Sequence, residues 1–219
     1  MNKKVFAKGY CGIKIFLFFA IGCLAGTFWE EILYFFQHDF VWVDRQGVIY
    51  GPFSPIYGVG VSIFVILLGR HNASRPIWKT YLYSCLIGGA TEYATSLIAD
   101  KVFHVSFWDY SNLFLNINGR TTVPYMLFWG LGGLILMKLV YPFISHWIEK
   151  IPYSFGRVAF PIFTALLMVD IILTYSAFGR MALRDSGIQP YTVYGQFLDR
   201  CYDDEFMMQK FPIMKEKDS

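Results

Sequence analysis

The sequence predicts an all-α membrane protein, a polytopic helix bundle of about five transmembrane helices with the second helix broken at its outer end. Three observations lead there. Of 219 residues, 55% are hydrophobic and only 16% are charged, against about a quarter charged in a soluble domain, so the surplus of apolar side chain calls for lipid as its solvent. Five apolar stretches approach the roughly 20 residues that cross a hydrocarbon core as helix. The lysines and arginines between them alternate in density, as they do when successive loops lie on opposite sides of a bilayer.

The first stretch covers residues 13–36. A basic segment precedes it, as in a signal peptide, but the apolar run is too long for the apolar region of one, so it is expected to stay in the membrane. The second, residues 52–69, is the shortest and is opened by Pro52 and Pro55. Proline lacks an N–H and restricts the residue before it, so the helix is expected to start raggedly. Freed backbone groups at membrane depth are tolerated only against protein or a water-filled cavity, which makes a broken entrance a pointer to a binding site. The third, fourth and fifth stretches cover residues 78–99, 123–143 and 158–178. They complete a membrane domain expected over residues 1–180.

Residues 181–219 read as an extramembrane tail of mixed charge, with an acidic cluster at Asp203, Asp204 and Glu205. A short helix over residues 195–210 would present Phe197, Leu198, Cys201, Tyr202 and Phe206 on its apolar side. The tail either lies solvated on the surface or forms a lid over the outer loops.

Orientation follows from basic flanks. Lys3, Lys4, Lys8, Lys14, Arg70, Arg75, Lys79, Lys150 and Arg157 fall on one side, and only Arg45, Lys101 and Arg120 on the other. The N-terminus is therefore expected in the cytoplasm and, with five spans, the C-terminus outside. The sequon Asn72-Ala73-Ser74 would then be cytoplasmic and unused.

Several classes of function are excluded or unsupported. No dense basic patch suggests a nucleic-acid partner. Cys11, Cys23, Cys85 and Cys201 are too scattered for a disulfide framework or zinc site, so no metal or other cofactor is expected. No P-loop, nucleophile elbow or H-E-x-x-H occurs. His38, His71, His104 and His146 fall at loops or span ends, where interfacial polar residues are ordinary.

Charges inside the spans are the informative residues, because an ionised group there is costly unless paired, hydrated or protonated. Lys138 lies near a span end and reads as a snorkelling anchor. Asp170 is surrounded by apolar turns and is expected to meet another helix or, protonated, a backbone carbonyl. Glu30 shares a helix face with Gly22 and Gly26, the spacing that lets another helix approach closely. Glu92 repeats the arrangement with Gly88, Gly89 and Ser96. Both carboxylates look inward, beyond the midplane towards the outer surface. They suit a shared proton, a bound cation, an arginine from a loop, or helix packing.

The two outer loops carry the remaining signals. The first runs from Arg45-Gln46-Gly47 through Gly51-Pro52 and Pro55-Ile56-Tyr57-Gly58. The second holds Trp108-Asp109-Tyr110-Ser111 and then Asn116-Ile117-Asn118-Gly119-Arg120. Trp108 and Tyr110 suit an interfacial belt, and Asn118-Gly119 a tight turn. Arg120 is placed to meet Asp109, Glu92 or Glu30, either as a clamp or as a receptor for a carboxylate or phosphate.

These motifs, with Trp129-Gly130 in the following span and Leu198-Asp199 and Phe211-Pro212 in the tail, resemble small bacterial membrane proteins of the ABC-transporter type IV permease family. Gln46 departs from that pattern by separating arginine from glycine, and Thr121 stands where an isoleucine is usual. The resemblance implies a multi-pass protein of the bacterial plasma membrane, acting in transport with a separate ATPase subunit.

Three functions fit. The first is a permease-like component with an outer-facing polar cavity, whose site draws on Glu30, Arg45, Tyr57, Glu92, Trp108, Asp109, Asn116, Asn118 and Arg120, and whose substrate is a small molecule or lipid. In that case Glu92→Gln should abolish flux. The second is a membrane-embedded enzyme or assembly factor acting on a lipid or envelope precursor, with Glu30, Glu92 and Asp109 as acid/base groups, Arg120 as the phosphate or carboxylate receptor, and no further catalytic residue assigned. The third is a structural partner subunit whose motif residues pair with one another.

Overall fold

The computed structural model describes residues 5–103 and 108–212. Lys3 and Lys4 of the basic flank, and His104, Ser106 and Phe107, lie outside the described residues. Over the described residues the chain is all-α apart from one short hairpin. In order it forms α1 (Gly12–Gln37), α2 (Pro55–Leu68), α3 (Ile77–Phe103), β1 (Asn116–Ile117), β2 (Thr121–Thr122) and α4 (Val123–Ile135). A π-turn, Leu136–Val140, leads directly into α5 (Tyr141–Lys150). Then follow α6 (Tyr153–Asp185), α7 (Val193–Cys201) and α8 (Asp204–Lys210).

Among the described residues, three helices are long and apolar enough to cross a membrane: α1, the continuous Val123–Lys150 helix, and α6. Most of each stays unburied within the protein, so its apolar side chains require lipid. Two of the five expected stretches fall short of that standard. The second forms a helix of only 14 residues, and the third is long but carries Lys79, Glu92, Asp100 and Lys101.

Local chemistry explains the helix limits. α1 ends where Asp39 and Phe40 take positive φ values of 50° and 62°, and the Phe40 N–H returns to the Phe35 carbonyl, a hydrogen bond typical of left-handed helix termini. Pro52, Phe53 and Ser54 stay outside α2, as the broken entrance predicts. Their backbone is satisfied by protein: Ser54 N–H donates to the Cys23 carbonyl and Gly47 N–H to that of Phe53. Thr122 caps α4, its hydroxyl accepting from the Tyr125 N–H. The π-turn precedes Pro142, which cannot donate to the carbonyl one turn back, and the widened turn accommodates it without ending the helix.

The chain divides into two compact units. One joins the chain through Phe16 with Gly60–Ile151. Here α3 packs on α4 through small residues: the Trp129 side chain lies against Gly88 and Met126 against Gly89, while Gly130 faces Cys85 and Tyr81. Lys14, read from sequence as a basic flank, is instead buried at 1% exposure. Its Nζ donates to Ser145 Oγ and Glu149 Oε1 on α5 at 2.6 and 2.5 Å. Lys138 is likewise no free anchor, since its Nζ donates to the carbonyls of Asn72 and Arg75. Asn72 of the sequon is buried and donates to the Met137 carbonyl.

The other unit joins Leu17–Val59 with the chain from Pro152 onward. The Tyr57 ring of α2 occupies the space where a side chain on Gly26 of α1 would stand, the close approach expected of the glycine face. α6 continues past the expected end of the membrane stretch, so Met181–Asp185 are helical. Gly187 then adopts φ +73°, and hydrogen bonds from Gly187 to Arg184 and from Ile188 to Leu183 close a Schellman motif. The expected single tail helix is two, divided at Tyr202 and Asp203, because Asp203 turns its carboxylate onto the Phe206 N–H and starts α8. Leu198 and Tyr202 are buried with Met207, Phe211, Ile49 and Ala177, whereas Phe197 and Cys201 stay exposed.

Ion pairs tie this tail to α6. Arg180 grips Asp199 with Nε and Nη2 at 2.8 and 2.9 Å, and Arg184 reaches both Asp199 and Asp204 at 2.6 Å. Hydrogen bonding from Arg180, supported by Arg184, holds the Asp199 carboxyl below the usual carboxylate range. A depressed folded value contributes stability above the unfolded pKa of about 3.9 and loses it as pH falls through the folded one. The NMR amide signals of α7 are therefore expected to stay in place from neutral pH down to about pH 4 and to shift only below it. A shift beginning near neutral pH would contradict this.

Candidate functional site

The residues singled out in the sequence form two groups, one in each unit. The second group closes on itself, and the first leaves part of the Arg45 guanidinium unengaged.

In the unit containing Leu17–Val59, Glu30 lies on the glycine face of α1 and receives two donors. Tyr57, on the first turn of α2, gives its hydroxyl to Glu30 Oε1 at 2.6 Å. Arg45 of the first loop gives Nε to Glu30 Oε2 at 3.3 Å. The ion pair is half-exposed, with 21% of the Arg45 and 29% of the Glu30 side chain accessible. The Arg45 guanidinium also lies over the Tyr34 ring, 4.9 Å from its centroid, a cation–π contact. Buried Glu31 accepts from the Arg45 backbone N–H at 3.4 Å. The glycine-face argument missed Glu31 because adjacent helical residues point about 100° apart.

Two further groups fasten the same loop to α6. Thr174 accepts from the Ile49 N–H at 2.9 Å, and Asp170 Oδ1 from the Tyr50 N–H at 3.1 Å. Asp170 thus meets a loop N–H, where the sequence suggested a helix or a carbonyl. The loop turns the N–H groups of Ile49 and Tyr50 towards α6, so the carboxylate acts as acceptor.

In the other unit, Glu92 on α3 accepts from the Thr121 hydroxyl at 2.5 Å and the Tyr110 hydroxyl at 3.3 Å. Burial and the neighbouring Glu92 carboxylate push the Tyr110 phenol up to about 12, so it remains a proton donor across the physiological range. Arg120 does not meet Asp109, Glu92 or Glu30. Its Nη2 pairs with Asp100 at 2.6 Å and its Nη1 donates to the carbonyl and hydroxyl of Ser96. Glu92, Ser96 and Asp100 recur every four residues, so one face of α3 carries the whole set. That spacing could have revealed Asp100 from sequence. Asp109 is occupied locally: the Ser111 hydroxyl and N–H hold its carboxyl below the usual range.

The rest of the second loop is a hydrogen-bonded scaffold. Asn118 and Gly119 take φ values of +52° and +68°, and Arg120 N–H donates to the Ile117 carbonyl, which makes the two-residue turn favoured by Asn-Gly. Asn118 also donates to the Tyr93 hydroxyl. Asn116 Nδ2 donates to the carbonyls of Ser111 and Leu113 while its Oδ1 accepts from the Gly119 N–H. Trp108 Nε1 donates to the Arg120 carbonyl. Among the described residues no group of three His, Cys, Asp or Glu side chains is placed to hold a metal ion.

The model of the family described as "Putative ABC-transporter type IV" matches residues 17–175, well over half of the chain. The chain belongs to that family. No curated protein and no solved structure matches it. As a type IV family member with long apolar helices, the chain is a transport-related membrane protein. The matched region holds both residue groups, including Glu30, Arg45, Tyr57, Glu92 and Arg120. Arg180, Arg184 and the two tail helices lie beyond it.

Proposed function

We propose that this type IV family member is the membrane-spanning component of a transporter in the bacterial plasma membrane, driven by a separate ATPase subunit. The family supports the transport assignment, and the sequence holds no nucleotide-binding loop of its own. In this reading α1, α2, α3, the Val123–Lys150 helix and α6 are five spans, with the N-terminus cytoplasmic and the two motif loops outside. α2 spans with help from the non-helical segment before Pro55, and α3 carries its polar residues on a face turned to protein.

The single observation that carries the site is the incomplete use of Arg45. Arg120, Arg180 and Arg184 all have their terminal Nη atoms hydrogen-bonded. Arg45 alone of these engages its carboxylate only through Nε, and loosely. Its outer donor edge is the geometry that grips a carboxylate or phosphate. Glu30 is then the resting counter-ion that an anionic solute displaces in an outward-facing polar cavity, and Tyr57 keeps Glu30 in place. Glu92, Trp108, Asp109, Asn116, Asn118 and Arg120 serve as scaffold, which is the part of the structural-subunit reading that their closed hydrogen bonding favours.

Mild detergent purification with mass spectrometry of bound partners and small molecules tests this. An ATPase subunit and an anionic small molecule are expected to copurify. Arg45→Met should lower retention of that molecule about ten-fold or more, the worth of one charge-assisted hydrogen bond. Glu92→Gln should not lower it in the folded fraction. Equal retention by wild type and Arg45→Met would remove the assigned site, and absence of any ATPase would remove the transporter reading.

A further inference from the structure

The first loop is held from two sides, and one of them lies outside the family match. On α6, Thr174 and Asp170 take the N–H groups of Ile49 and Tyr50. From the tail, the Tyr202 hydroxyl meets that of Tyr50 at 2.9 Å. The Ile49 side chain is enclosed, at 2% exposure, by a cluster that includes Leu198, Tyr202, Met207 and Phe211. With its amide turned to satisfy both ends, Gln46 donates to the Gly51 carbonyl and accepts from Lys210 at 2.5 Å. Gln46 is the neighbour of Arg45, so these tail contacts begin one residue from the proposed anion-binding side chain.

The tail in turn is locked in place. Gly187 reverses the chain at the end of α6, and the Arg180–Asp199 and Arg184–Asp204 pairs fasten α7 and α8. Burial and hydrogen bonding to Tyr50 raise the Tyr202 phenol to about 12, so the Tyr202 hydroxyl keeps its proton at physiological pH. A solvated tail would need neither buried arginine nor buried Met207, both of which are costly or pointless in water.

We propose that residues 192–211 act as a strap that clamps residues 46–50 of the first loop onto α6 and so positions Arg45 against Glu30. Tyr202, Met207 and Lys210 are then positioning residues for the site. The importance of Arg45 rests on the function proposed above, but the clamping itself does not.

Hydrogen exchange on the full chain in lipid nanodiscs tests the strap without any substrate. Two variants release it by different means: Asp199→Asn with Asp204→Asn removes the ion pairs, and Met207→Glu places a charge in the apolar cluster. In both, amides of residues 193–210 and of residues 46–50 should exchange about ten-fold faster or more, while those of α3 keep their wild-type rates. Fast exchange in 193–210 with wild-type protection in 46–50 would overturn the clamp. Wild-type protection of 193–210 in both variants would overturn the fastening assigned to these residues. Loss of Arg45-dependent retention with the clamp intact would instead speak only to the anion site.

Discussion

Gly58→Ala is expected to destabilise the protein by about 2–3 kcal/mol, the upper part of the range for overpacking a tight interior. A Cβ there would stand 2.4 Å from Cys23 Sγ and 2.6 Å from the Phe19 carbonyl oxygen. The sulfur could turn aside, but the carbonyl belongs to the backbone of α1, so the two helices must separate. Alanine favours helix over glycine by only about 1 kcal/mol, too little to compensate. Tyr57 is the neighbouring residue, so its hydrogen bond to Glu30 should weaken as well. Gly60→Ala provides the control, because nothing lies within 4 Å of its Cβ position. Thermal unfolding in one detergent should show a lower midpoint for Gly58→Ala and an equal or higher one for Gly60→Ala. Equal midpoints for both would show that the α1–α2 contact is looser than described.

Arg180→Met should cost about 3 kcal/mol. Arg180 is 6% exposed and makes three hydrogen bonds: two to the Asp199 carboxylate and one to the Ile188 carbonyl. Bonds to charged groups contribute about 1.5–3 kcal/mol each, but they are not additive here, because Asp199 keeps Arg184. Methionine fills much of the space, so the loss is electrostatic more than steric. Chemical denaturation followed by the tail's tyrosine signal should report it. A change below about 0.5 kcal/mol, the level of an exposed pair, would mean that the Arg180 site is solvated in the folded protein.

Parts of this structure were legible from residue order. The glycine faces of α1 and α3 announced close packing, and Tyr57 against Gly26 and Trp129 against Gly88 fulfil it. Pro52 and Pro55 announced a late start for α2, and Asn118-Gly119 a tight turn. These depend on backbone sterics, which act over a few residues and can be read locally. Arg120 could not be assigned in the same way. Three acids were plausible partners, and the choice of Asp100 depends on where the hairpin sets the guanidinium relative to α3. The partners of Lys14 and Lys138 went unseen for a related reason. A lysine near a span end has the same sequence signature whether it reaches water or, as here, a half-exposed carboxylate or two carbonyls.

By itself the sequence determined that this chain is helical and belongs in a membrane, and which loops carry its polar motifs, because hydrophobic run length and turn chemistry are properties of neighbouring residues. Only the tertiary structure decided which charges neutralise each other. It left Arg45 with an open donor edge while engaging both Nη atoms of Arg120, Arg180 and Arg184, and it laid the tail over the first loop instead of leaving it in solvent. Those outcomes follow from ion pairs and apolar contacts between residues 15 to more than 100 positions apart. Such contacts depend on distances and desolvation that exist only once the helices have packed.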